Sequence, residues 1–291
     1  MNPTASAIVP WALFTVMLAL GVGLPTRAWS DWRKHRDLLL RVELASCVLV
    51  PLLAFGLLSL PMAHHLSGDA RHAIALMGAC PSAPLILRNA ERQGGDASLA
   101  AWLQINAAIV AIVTVPLLAQ LAQVVFGIAG WNVLPRQVAL QIAQMQVLPL
   151  LLGLGLRRWA PQMAQQIAKP LDRLANLLLL LLLVVVLVKT APLLVRYAMS
   201  NGSALLLMAG LVLGSLGLGW AMGTTSPQRK TTTALVTSMR NPGLAVLLAS
   251  THAPEHSAIK LGILVYVVLT VVLSAPLLRL QQRKRMQQHG S

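Results

Sequence analysis

The chain has 291 residues, 56% of them hydrophobic and only 11% charged, and its mean hydropathy is +0.70. Soluble domains carry about 25% charged residues, so this composition excludes an ordinary water-soluble enzyme or binding domain and specifies a chain embedded in lipid. The net charge of +15 does not argue for a nucleic-acid partner, because the basic residues fall in short clusters between apolar runs, the pattern of cytoplasmic membrane loops.

A crossing needs about 20 apolar residues, and nine such segments are expected along the chain: 8–24, 38–60, 72–90, 98–124, 137–156, 174–195, 203–222, 232–250 and 259–280. The opening MNPTASAIVP has no basic residue ahead of its apolar run, so it is read as a true first span and not as a cleaved leader. Arginine and lysine stay on the cytoplasmic side during insertion. The first, third, fifth and seventh connections carry Arg27, Arg33, Lys34 and Arg36, then Arg92, then Arg157, Arg158, Lys169 and Arg173, then Arg229 and Lys230; the tail adds Arg283, Lys284 and Arg285. The opposite connections carry Arg71, Arg136 and Arg196. This alternation predicts an N-terminus outside and a C-terminus in the cytoplasm.

Two of the nine segments are interrupted. The third, ALMGACPSAPLILRNAERQGG, loses two backbone donors at Pro81 and Pro84. The eighth, TALVTSMRNPGLAVLLAS, is broken at Asn241-Pro242-Gly243. A kinked but continuous helix accounts for either break taken singly. As a pair, five spans apart and of opposite direction, they point to inverted repeats and a transport site at mid-membrane. Broken backbone at that depth is tolerated only where it is buried in protein or lines a cavity.

Charge inside a bilayer is costly and each case needs a reason. Glu43 lies a little over one turn from the cytoplasmic end of the second span. It reads either as an interfacial acid paired with a neighbouring base, or as a partner of Arg240 or Arg88, or as a protonatable coupling group. Arg88 follows the first break, where it also suits a solvated helix end beside Glu91 and Arg92. Lys189 is placed to snorkel outward. Arg240 stands mid-span against the second break, with the longest path to water, and is the strongest site candidate. Thr237, Ser238 and Asn241 on the eighth span, Asn89 on the third, and Gln104 and Asn106 on the fourth gather polar groups in the same region, where interhelical hydrogen bonding is the simpler alternative. Gln141, Gln144 and Gln146 suggest a polar face on the fifth span. Cys47 and Cys80 lie within apolar runs and read as small core residues, while His64, His65, His252 and His256 fall in expected loops and read as surface histidines. Nucleophile-elbow, zinc and phosphate-loop patterns are absent from the sequence, so no enzymatic activity is expected.

These residues carry a resemblance. CPSAPLILRNAERQGGDASLA (Cys80–Ala100) is similar to a Cys-Pro-Gly-Gly segment followed by Ser-Asn and a Gly-Asn or Gly-Asp; VLPLLLGLGLRR (Val147–Arg158) to a Leu-Pro-x-x-x-Gly-Leu segment; and SMRNPGLAVLLAS (Ser238–Ser250) to Gly-Met-Gln-Asn-Ser-Gly-Leu-Ala. In this order they resemble the bile acid:sodium symporter family, whose relatives include arsenite exporters and other organic-anion carriers. The resemblance implies an all-α integral membrane protein with panel and core domains and two discontinuous helices crossing at the site, here the third and eighth of nine spans, the first of the usual ten being missing. It also implies a multi-pass protein of the bacterial inner membrane.

The family's sodium ligands do not carry over. Its glutamate falls on Val236, its glutamine beside the Met on Arg240, its Ser-Asn on Ile86 and Leu87, its serine and threonine ligands on Ala100 and Gln104, and its second-span glutamine on Ser46. Sodium needs a shell of oxygen atoms, and Val236, Ile86, Leu87 and Ala100 supply no side-chain oxygen. The sodium site is therefore expected to be lost, with no cofactor or metal in its place, and the guanidinium of Arg240 is expected to supply the positive charge. The expected activity is sodium-independent carriage of a small organic anion by alternating access, with Pro81, Pro84, Pro242 and Gly243 forming the breaks. Proton coupling through Glu43, sodium coupling of the family type, and a non-transporting receptor or regulatory subunit on the same fold are the alternatives. The partners expected are the anionic substrate and the bilayer, with homo-oligomerisation left open.

Overall fold

The computed structural model describes residues 3–24, 36–82, 96–126, 134–224 and 226–289, and these are almost entirely helical. The helices are α1 (Pro3–Gly23), α2 (Arg36–Leu58), α3 (Gly68–Ala79), α4 (Ala97–Phe126), α5 (Pro135–Trp159), α6 (Pro161–Ser200), α7 (Gly202–Met222), α8 (Pro227–Ser238), α9 (Pro242–His252) and α10 (Ser257–His289). No strand of a sheet occurs among the described residues; the sole extended pairing is a single bridge between Ser82 and Arg240. Among the described residues five helical segments are long and apolar enough to cross a membrane: Arg36–Leu58, Ser98–Phe126, Pro135–Trp159, Gly202–Met222 and Ser257–Pro276.

Helix ends follow local chemistry. Ser67 starts α3 by accepting a hydrogen bond from the Ala70 amide at 3.2 Å, the usual N-cap contact. Arg71 then ties α3 to the turn before it, donating to the carbonyls of Ala63 and His64. Prolines open α5, α6, α8 and α9 in their first turns, where the missing N–H has no helical partner anyway. The apolar run expected over 174–195 is part of a longer helix, α6 of 40 residues. Its polar, proline-opened start at Pro161 continues straight into the apolar run, because the interior Pro170 and Pro192 do not end the helix.

Two helices contain a π-turn, Ala45–Leu49 in α2 and Ala143–Val147 in α5. One extra residue in the turn rotates the side chains that follow, and such bulges recur at functional sites. Here they bring Ser46 and Gln146 inward, both buried.

The helices pack as two groups. In one, α1 lies against α5 and α6. The other gathers α2, α3, α4, α7, α8, α9 and α10, with the α3 end and the α8–α9 break at its centre. The two groups meet where α1 touches α9, where α4 meets α5 and where α6 touches α10. Within the first group α1 and α5 approach closely at Gly21 and Gly153. A Cβ on Gly153 would stand within 3 Å of Leu18 and Val22 backbone atoms, and one on Gly21 would collide with the Leu150 carbonyl oxygen. Small residues permit this backbone approach in lipid, where dispersion and not water exclusion holds helices together.

Gly153→Leu should separate α1 from α5 and cost about 1–3 kcal/mol, measured by unfolding the purified protein in denaturing detergent. Gly217→Ala, where an added Cβ meets open space, should cost nothing. Equal loss in both variants would contradict the packing account.

Candidate functional site

The two breaks meet. Helix α3 ends at Ala79 and its chain turns extended at Cys80; α8 ends at Ser238 and α9 begins at Pro242. Between them the backbones pair, with the Asn241 amide donating to the Pro81 carbonyl at 2.8 Å and the bridge joining Ser82 to Arg240. Proline supplies both interruptions, and each break exposes backbone groups that the other partly satisfies.

Arg240 fills this crossing and is 2% exposed. Its Nε donates to the Met77 carbonyl at 3.0 Å, Nη2 to the Gly78 carbonyl at 2.6 Å, and Nη1 to the Ser46 hydroxyl at 3.0 Å and, more weakly, the Thr237 carbonyl at 3.5 Å. Met77 and Gly78 belong to the last turn of α3, and Thr237 to the last turn of α8. The last four carbonyls of a helix have no partner of their own, and each C-terminus carries roughly half a negative charge. Two such ends converging total about one negative charge, which one guanidinium neutralises. Arginine, with five donors in a planar fork, can reach all four acceptors at once, and lysine cannot.

Asn241 is also buried. Its Oδ1 accepts from the Leu244 amide at 3.0 Å and so caps α9, while its Nδ2 donates to Gln146 Oε1 at 3.5 Å on α5. That second contact joins the two packing groups, and a further one between Gln141 Nε2 and Thr251 Oγ1 at 2.9 Å runs from α5 to the far end of α9. Ser82 donates to Gln104 Oε1 at 2.9 Å, linking the residue after the first break to α4.

The other expected site residues divide. Thr237 and Ser238 are buried, but their hydroxyls donate back to their own helix, to the carbonyls of Thr233 and Leu235; Thr237 contributes through its carbonyl. Asn106 is half-buried two residues beyond Gln104 on α4, a spacing that turns it to another side. Glu43 is half-buried on α2, three residues before Ser46 and so on the same face. Its Oε2 accepts from the Cys47 thiol at 3.6 Å, its Oε1 is buried with no hydrogen-bond partner, and it forms no ion pair with Arg240. Pro84, Arg88 and Asn89, with Ile86 and Leu87, lie outside the described residues.

Ser46 and the carbonyls of Met77, Gly78 and Thr237 are site components that polarity of side chains alone does not reveal; the signal for the carbonyls was the helix break itself. Val236 and Ala100 are 1% and 0% exposed and pack in one apolar cluster with Leu99, Leu103 and Val147. Cys47 and Cys80 are free and buried, as core residues should be. His256, expected as a surface histidine, lies partly exposed in the turn before α10 and pairs there with Asp69 at 2.8 Å, joining that turn to the start of α3. On another face of the same group, Asp96 caps α4 by accepting from the Leu99 amide, receives Arg229 at 3.8 Å, and its own amide donates to Thr232 Oγ1 at 2.8 Å, tying the start of α4 to α8. Among the described residues no group of three or more metal-ligating side chains is assembled.

A many-helix membrane protein whose broken segments cross around a buried charge has the architecture of a secondary carrier. The family follows from comparison: residues 10–197 match the Sodium Bile acid symporter family, about two-thirds of the chain, and the chain belongs to that family. No curated protein matches it. The matched stretch includes the first break and Ser46; Arg240 and the second break lie beyond it. The protein is thus an integral, multi-pass membrane protein of the bile acid:sodium symporter type.

Arg240→Met should leave the ends of α3 and α8 without a donor. At about 1–3 kcal/mol for each buried group left unsatisfied, it should lower stability by about 3 kcal/mol or more in denaturing-detergent unfolding. Ser46→Ala, which removes a single acceptor, should cost about 1–2 kcal/mol. A fully stable Arg240→Met protein would show that the guanidinium does not hold the crossing together.

Proposed function

We propose that the protein carries a small organic anion across a bacterial inner membrane by alternating access, without sodium, and that Arg240 stands permanently where related carriers bind their coupling cation. The observation that carries this reading is the ligand set of the guanidinium: two helix-end carbonyls from α3, one from α8 and the Ser46 hydroxyl. These are oxygen atoms around a positive charge, the set a hard cation takes, and the charge is bound covalently to the chain. Val236 and Ala100, at positions where the resemblance implies sodium ligands, sit in hydrocarbon surroundings, which supports loss of the metal.

In this reading the nine helical crossings run with the N-terminus outside. The α1, α5 and α6 group serves as the panel and the rest as the core, and movement of one against the other exposes the crossing to either side in turn. Gln146 and Asn241, which touch across the boundary, belong to the surface that parts. Four of the five guanidinium hydrogens have protein acceptors, so Arg240 acts on a substrate chiefly by its field and through the remaining Nη2 hydrogen. Its positive charge, inside a low-dielectric region, favours anions over neutral or cationic solutes.

A thermal-shift screen of small carboxylates and other organic oxyanions on the purified protein tests this. A subset should stabilise the protein equally in sodium and in choline buffers. Stabilisation that appears only with sodium would overturn the proposal.

A further inference from the structure

Among the described residues Glu43 is the one carboxylate near the crossing, and the hydrogen bonds of Arg240 leave it out. Its Oε1 is buried without a partner, and its Oε2 has only the weak donor Cys47 at 3.6 Å. An ionised carboxylate in such a position lacks the hydrogen bonds that would offset its loss of water, and a protonated one carries no such penalty. Yet a cation is close by: Ser46, three residues along the same face of α2, holds Arg240 Nη1 at 3.0 Å. The π-turn Ala45–Leu49, which begins two residues after Glu43, holds Ser46 buried at the crossing.

The surroundings contain little else that titrates. Helices α4 and α7, which pack on this part of α2, bear no ionisable side chain between Ala97 and Phe126 or between Gly202 and Met222. Helix α8 carries Arg229 and Lys230 only in its first turn. On α2 itself Arg41 is exposed and two residues away, and Cys47 is the thiol already bonded to Glu43. Cys80 and Tyr266 are buried near Arg240. Among the described residues, Arg240 is therefore the single cation that faces Glu43.

We propose that Glu43 is a proton-binding site: in the state described here it holds a proton, and when it ionises its carboxylate competes with the ends of α3 and α8 for the guanidinium of Arg240. The proton leaves to water, and the positive charge that was shared among three carbonyls and Ser46 pairs with the new carboxylate. The ends of α3 and α8 then lose their donor, and the crossing loosens. The inference deepens the carrier reading, since it would couple the state of the crossing to protons in place of sodium.

The test uses full-length protein and no substrate. Infrared difference spectra of the protein in liposomes, between alkaline and acid buffers, should contain a protonated-carboxyl stretch that is missing in Glu43→Gln. A folded state that keeps a proton where a free glutamate has lost it binds more protons than the unfolded chain. Its folding equilibrium constant should therefore fall about tenfold per pH unit on going up from the ordinary carboxylate range, and Glu43→Gln should abolish that slope. In Arg240→Gln the carboxyl band should persist to higher pH, because the cation favouring ionisation is gone. An identical band and slope in wild type and Glu43→Gln, or an unmoved band in Arg240→Gln, would overturn the proposal. Neither measurement involves transport, so that outcome leaves the anion-carrier reading intact, and a failure to bind anions leaves the proton on Glu43 unaffected.

Discussion

Breaking a helix inside a membrane creates a debt of unpaired carbonyls, and in this protein a single guanidinium settles it. Helices α3 and α8 both present their negative ends to one point, and Arg240 bonds to carbonyls of each. Placing an arginine at the centre of a bilayer costs about 2.5–3.5 kcal/mol on insertion scales. One hydrogen bond to a charged group is worth about 1.5–3 kcal/mol, and Arg240 makes several. The cation and the breaks therefore sustain each other: without the breaks the arginine has no acceptors, and without the arginine the helix ends have no donor.

From this arrangement follows the geometry around it. The backbone pairing of Asn241 with Pro81 sets the two breaks in register, Asn241 caps α9, and the π-turn in α2 delivers Ser46 as the fourth acceptor. The same register puts Asn241 against Gln146 of the neighbouring helix group. A change at the guanidinium can thus be felt at the boundary between the two groups through one residue, since Arg240 and Asn241 are adjacent in the chain.

Much of this was legible in the sequence, for identifiable reasons. The apolar runs coincide with helices, five of which among the described residues are long and apolar enough to cross a membrane, and Pro81 and Pro242 mark the two breaks because proline deletes a backbone donor. Arg240 stood out because a charge placed mid-span against a break has the longest path to water. What side-chain chemistry concealed was the identity of its partners: three of the four acceptors are backbone carbonyls, which every residue has. Thr237 and Ser238 drew attention as hydroxyls, yet their hydroxyls are spent on their own helix. The full length of α6 was hidden because its first turns are polar and its prolines look like stops. Glu43 illustrates the converse, a residue whose position was evident and whose lack of an ion pair with Arg240 only the packing reveals.

The central claim is that the guanidinium of Arg240 holds the two broken helices at their crossing. Hydrogen exchange read by mass spectrometry on wild type and Arg240→Met addresses it most directly. The account predicts a loss of protection confined to the end of α3, the end of α8 and the start of α9, with α1 and its packing against α5 unchanged. Protection at the crossing that is the same in both proteins would contradict it.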